Sequence, residues 1–193
     1  MSGAKVTDKN YETTKIADFP IRLYVACNGK NCPSKSYKDV DQTQWYHNAV
    51  DYVLGNDLMK GTGKTTFSPD ATLTRGMVVT VLGRAAGVKT ADYTGTSFSD
   101  VKAGDWFYDA VLYAYENGLM SGTGAAAFSP NQTLTRAMVA QVLYSMEGAP
   151  AGGTSTFTDV AAGTWYVSAV NWAADSGVVR GYGDGTFGPN DNV

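Results

Sequence analysis

Three stretches of the chain repeat one arrangement of apolar and polar positions. Trp45, Tyr46, Ala49, Val50 and Val53 fall on one face of a helix, as do Trp106, Phe107, Ala110, Val111 and Ala114, and Trp165, Tyr166, Ala169, Val170 and Ala173. Residues three and four apart align in an α-helix, so each set predicts an amphipathic helix with its aromatic pair at the start. Gly118 stands where the second of these helices needs a left-handed cap. A further apolar stripe follows in two of the three stretches: Met77, Val78, Val81 and Leu82 after Thr74, and Met138, Val139, Val142, Leu143 and Met146 after Thr135. Each Thr is placed to cap its helix. The predicted unit is helix, Gly-rich loop, helix, with core packing expected for most of the Trp, Phe and Ala positions, the Trp at each helix start included.

The landmarks around these helices repeat with fixed offsets of 61 and 59 residues. Tyr37-Lys38-Asp39-Val40, Phe98-Ser99-Asp100-Val101 and Phe157-Thr158-Asp159-Val160 open the copies, and Phe67-Ser68-Pro69, Phe128-Ser129-Pro130 and Phe187-Gly188-Pro189 follow the loops. Leu73-Thr74-Arg75 and Leu134-Thr135-Arg136 open the second helices, and the matching Leu position of the third copy is Val193. The expected organisation is a lead-in over 1–36, repeats over 37–95 and 96–153, and a third repeat over 154–193 without its second helix. One helix pair buries too little surface alone, so the copies should stack, and three copies suggest a pseudo-threefold helical bundle. In the lead-in, Ile21 to Val25 alternates like a short strand or extended segment, the possible tail of a preceding domain.

Composition narrows the function. A net charge of −3 gives no electrostatic footprint for nucleic acid. No apolar run is long enough to span a membrane, and Met1 to Lys5 lacks a signal core, so an export signal would have been removed or lie upstream. The two cysteines, Cys27 and Cys32, bracket a four-residue loop that a disulfide could close, which favours an oxidising, extracellular setting. A metal site is the weaker reading, because zinc takes about four ligands and the sole His, His47, does not complete the set with two thiols.

Several motifs invite chemistry and fail on inspection. Gly61-Thr62-Gly63-Lys64-Thr65 resembles a phosphate loop, but Leu58 occupies the position of its first Gly, and the second copy has no Lys. Tyr182-Gly183-Asp184-Gly185 lacks the regular acidic ligands of a calcium loop. With one His, read as an exposed helix residue, and no nucleophile in context, no catalytic residue, cofactor or metal is assigned.

The Thr-Arg pairs differ. Arg75 and Arg136 fall in a first helical turn, where the dipole disfavours a cation. Unpaired N–H groups, the positive helix end and a guanidinium fork would together suit a carboxylate, while packing over the neighbouring repeat is an equally good reading. Trp45, Trp106 and Trp165 could stack on the apolar face of a sugar.

The order aromatic-x-Asp-Val, Trp-aromatic, Ala-Val, Gly-Leu-Met-x-Gly, Phe-Ser-Pro, Leu-Thr-Arg resembles the S-layer homology repeat of bacterial surface proteins, from Tyr37 to Val193. Cys32-Pro33-Ser34 and the Ala-Met variant of the second-helix motif resemble clostridial-type surface proteins. The resemblance implies a mainly α, three-pronged prism that is not an enzyme. Its grooves would bind secondary cell-wall polysaccharide, often pyruvylated, at the bacterial cell surface. It also implies glycan contacts from Thr74, Arg75, Thr135 and Arg136 and from the loop glycines Gly61, Gly122 and Gly181.

Two departures stand out. Met77 and Met138 occupy positions where the family usually has a Glu that completes a capping box, a departure that leaves open a glycan other than the pyruvylated one. The third Thr-Arg motif is absent, leaving the apolar face of Trp165, Ala169 and Ala173 without its helix. An alternative function follows from that absence: an interaction or split scaffold whose missing helix comes from another chain or peptide. A carbohydrate-active enzyme would need a catalytic domain outside these residues.

Overall fold

The computed structural model describes residues 32–89, 98–124, 126–154 and 156–193. The lead-in strand and Cys27 lie outside the described residues. The chain is mainly helical: a short 3-10 helix at Pro33–Ser36 precedes α1 (His47–Gly55), α2 (Arg75–Ala85), α3 (Tyr108–Glu116), α4 (Arg136–Met146) and α5 (Val167–Asp175). Helix pairs flank a loop in each of the first two repeats, as the periodicity predicts.

Three sequence expectations change. The first helices begin at the residue immediately after their aromatic pairs, and the pairs divide between core and solvent. Phe107 is buried, whereas Trp106 and Trp165 are each 60% exposed and Trp45 is 88% exposed. Neighbouring residues cannot both face the core at a helix start. The second correction concerns the second helices, whose most buried positions, Arg75 aside, are the small ones: Gly76, Val79, Thr80 and Gly83 in α2, Ala137 and Ala140 beside Val142 in α4. The large stripe residues are half-buried, and Met146 is exposed. Close approach is the reason, since a Cβ on Gly83 would lie 3.1 Å from that of Ala110. Ala49 is the third: it is exposed, unlike its counterparts Ala110 and Ala169.

The chain divides into two compact units. Among the described residues, the first comprises 32–71 and 84–87, with Val40, Val50 and Phe67 at its core. The second takes 72–83 and the rest, so most of α2 packs with the repeat that follows it in sequence. Its larger core joins Val79 of α2 to Val111 and Ala114 of α3, Phe128 and Leu134, and a smaller one gathers Ala140, Ala169, Val170, Ala173 and Phe187.

Within the second unit the three Leu-position segments close a ring. Leu73 N–H donates to Val193 O, Val193 N–H to Leu134 O, and Leu134 N–H to Leu73 O. Val193 therefore takes the place that Leu holds in the other copies, as the offsets predict.

One device occurs in every repeat. Asp39 accepts from the N–H groups of Phe67 and Ser68 at 2.9 and 2.7 Å, Asp100 from Phe128 and Ser129 at 2.9 and 2.7 Å, and Asp159 from Phe187 and Gly188 at 2.8 and 2.7 Å. Each carboxylate thereby ties the start of its repeat to the end of the loop. The second residue of each pair has positive φ (Ser68 62°, Ser129 57°, Gly188 69°), so the carboxylate fixes a conformation that only Gly adopts without cost.

Candidate functional site

Thr74 and Thr135 cap their helices as predicted, accepting from Met77 N–H and Met138 N–H at 3.3 and 3.4 Å. The adjoining N–H groups are not available to a ligand. Arg75 N–H donates to Gln132 O and Gly76 N–H to Pro130 O, while Arg136 and Ala137 donate to Asp191 O and Pro189 O. The helix ends are thus satisfied by the next repeat's loop, which removes the backbone part of the expected anion site.

The arginine side chains cross to the same loops. Arg75 Nε donates to Phe128 O at 2.9 Å and Nη2 to Ser121 O at 2.6 Å, with the guanidinium 4.7 Å from the Phe128 ring centroid. Arg136 repeats this on Phe187 O and Arg180 O, both at 2.8 Å, and lies over the Tyr182 and Phe187 rings. Packing over the neighbouring repeat is therefore a real role for both. It does not exhaust Arg75, which among the described residues makes no hydrogen bond through Nη1 and forms no ion pair. Arg75 is 5% exposed. Burial pushes its pKa below the ordinary arginine value, against the opposing pull of the Asp100 carboxylate.

Arg75 forms one wall of an open groove of about 620 Å³, the size of a site for one or two sugar rings. Loop residues Ser121, Gly122 and Thr123 form another wall, Met138, Gln141 and Ser145 of α4 a third, and Trp165 stands at the rim. The groove thus brings together Arg75, Gly122 and Trp165 from the sequence-predicted set. Thr74, Thr135, Arg136, Gly181 and Trp106 do not line it.

The loop glycines have a packing reason. A Cβ at Gly61 would lie 2.6 Å from Thr66 O and 2.7 Å from the Tyr37 ring, one at Gly122 2.7 Å from both Ala127 O and the Phe98 ring, and one at Gly181 2.6 Å from Thr186 O and against Phe157. The groove residues missed by the sequence reading, Gln141 and Ser145, lie four apart on the polar side of α4, a spacing that could have revealed them.

The model of the S-layer homology domain matches residues 36–76, 97–138 and 156–193, more than half of the chain. The chain belongs to the S-layer homology domain family. SLH domains are non-catalytic modules that anchor S-layer and surface proteins to the cell wall, which places this chain at the bacterial cell surface. It is 31% identical over 137 residues to the surface-layer 125 kDa protein of Lysinibacillus sphaericus, covering 69% of this chain and 11% of that protein. It is 30% identical over 166 residues to an amylopullulanase of Thermoanaerobacterium thermosulfurigenes (82% and 9%) and 32% identical over 124 residues to an S-layer protein of Bacillus thuringiensis subsp. finitimus (63% and 14%). The similarity to the amylopullulanase thus spans only a small part of that enzyme. The comparisons give no support to a complementary chain. No helix among the described residues is long and apolar enough to cross a membrane.

His47 departs from expectation. His47 is not exposed: its side chain is 12% accessible and lies against Asp51, which is fully buried. Cys32 is buried and disulfide-bonded.

Proposed function

We propose that this SLH domain anchors an exported protein by holding an anionic unit of the secondary cell-wall polysaccharide in the groove between the repeat-2 loop and α4. The observation that carries this reading is Arg75. It is a buried cation on the groove wall that forms no ion pair among the described residues; the Asp100 carboxylate offsets the cost of burying it only in part, and an anionic ligand would offset more. Trp165 at the rim offers an exposed aromatic face to a sugar ring, and Thr123, Ser121 and Gln141 supply hydroxyl and amide partners. Met138, in place of the usual Glu, keeps the α4 wall free of negative charge at its first turn, so the acidic substituent held here is ketal pyruvate or another anionic group. Arg136 and Gly181 would serve an equivalent but more open site on the third repeat, with Tyr182 beside the guanidinium.

Arg75→Ala is a poor test alone, because it also removes two structural hydrogen bonds. Trp165→Ala is cleaner. Pull-down on purified wall polysaccharide should weaken roughly tenfold in Trp165→Ala, the scale of one lost aromatic contact, with unchanged thermal unfolding. Binding that survives removal of ketal pyruvate from the polysaccharide would reject the pyruvylated form of the ligand, and undiminished binding by Trp165→Ala would reject the groove.

A further inference from the structure

Beside the 3-10 helix lies a group of side chains unrelated to the groove. Cys32 Sγ, a nitrogen of His47 and a carboxylate oxygen of Asp51 all lie within 4.8 Å of one another. Asp51 and His47 are four residues apart on α1, so they share a face, and Asp51 Oδ1 accepts from Ser34 N–H at 2.9 Å. That bond holds the carboxylate beside Cys32. Its other oxygen lies at ion-pair distance, 2.9 Å, from His47 Nε2, yet the two are not aligned as a hydrogen bond and neither buried atom makes one among the described residues. Two buried polar atoms of ligand type, in contact with each other but without a hydrogen bond, converge beside a sulfur and form a cluster that a cation would complete.

We propose that Cys32, His47 and Asp51 form a redox-gated site for a borderline divalent metal ion of the zinc type, closed in the disulfide form and opened by reduction. Thiolate, imidazole and carboxylate are donors that zinc accepts, and a water can fill the fourth position. One thiolate, one carboxylate and a neutral imidazole balance the charge of the ion, so the buried site becomes neutral overall. In the oxidised chain Cys32 sulfur is in a disulfide and is not a thiolate ligand. A dithiol reductant supplies two electrons and two protons: the disulfide S–S bond breaks to two thiols, and the reductant closes to its own disulfide. On binding, the Cys32 thiol releases its proton to solvent and its sulfur bonds to the metal. The sequence alone disfavours a metal because it offers one His and two Cys, and Asp51 is the ligand that only the fold brings in.

Cobalt(II) is the probe, because a thiolate ligand gives it a strong near-ultraviolet charge-transfer absorption. The full chain, reduced with dithiothreitol and desalted without air, should take up one Co²⁺ with that absorption and lose it to Zn²⁺, while the oxidised chain shows none. Cys27→Ser prevents the disulfide, so it should show the absorption without reduction. Cys32→Ser should abolish it. Asp51→Asn retains an acceptor for Ser34 N–H, so it should fold, and its Co²⁺ affinity should drop by roughly tenfold or more. Absence of the absorption from the reduced chain or from Cys27→Ser, its persistence in Cys32→Ser, or unchanged affinity in Asp51→Asn overturns the proposal.

Discussion

Gly122 lies on the groove wall, yet the space around it is set by packing: Ala127 O and the Phe98 ring occupy the position of a Cβ. Gly122→Ala should therefore destabilise the fold by about 1–3 kcal/mol, the usual cost of overpacking, measured by urea denaturation. An alanine variant of wild-type stability would return this glycine to a purely ligand-contacting role. At this scale the sequence is a partial guide. Phe107 and Trp106 are both large, apolar and adjacent, and periodicity cannot say which one faces the core when the helix begins beyond them. His47 and Asp51 were legible as an i, i+4 pair, but charged and polar residues at that spacing are usually solvent-facing, so nothing in the sequence signalled their burial.

Among the elements, α2 and α4 matter most, because each is held at its N-terminus by the loop of the following repeat. The capping threonines and the turn of the Gly-rich loop could be read from local preference alone, since both depend on residues a few positions apart. The destination of the Arg side chains could not. Arg75 bonds carbonyls 46 and 53 residues away, and no local rule separates that role from a solvent-facing or ligand-binding one. Arg75→Ala leaves Phe128 O and Ser121 O without those donors, so unfolding free energy should fall by about 3–6 kcal/mol, as for loss of two bonds to a charged group. The half-buried Arg136 should cost less when replaced. Denaturant midpoints of the two alanine variants check the order; an Arg75→Ala midpoint equal to wild type would show that the two Arg75 bonds add nothing to stability. Because the same guanidinium lines the groove, stability and glycan binding should fall together in Arg75→Ala and separate in Trp165→Ala.

Across the whole molecule the repeated carboxylates give the chain a common response to acid. Asp39 sits below the ordinary carboxylate range chiefly through the Phe67 N–H. At Asp100 and Asp159 partial desolvation is the largest influence and acts upward, but the N–H groups of Phe128 and Ser129, and of Phe187 and Gly188, outweigh it and the net direction is down. A carboxylate lowered in the folded state binds fewer protons there than in the unfolded chain. Its stabilisation is complete above the unfolded value and is lost as pH falls through the lowered, folded one. One of the three repeated carboxylates lies in the first compact unit and two in the second, and Asp41 and Asp184, lowered by their bonds from Thr43 and Thr186, add one to each, so both units should weaken over the same acid window, below the ordinary carboxylate range. Thermal unfolding followed from neutral pH downward should show a falling Tm in that window. Asn in place of both Asp100 and Asp159 should lower Tm at neutral pH, because an amide oxygen is a weaker acceptor for paired N–H groups, and should flatten the acid slope. A double variant whose Tm falls with pH as steeply as that of the wild type would place the acid sensitivity elsewhere. The positive-φ residues give the same test a second readout: Ser129 depends on its carboxylate to hold a left-handed conformation, whereas Gly188 adopts it without strain. Asp100→Asn alone should therefore be the more damaging of the two single substitutions.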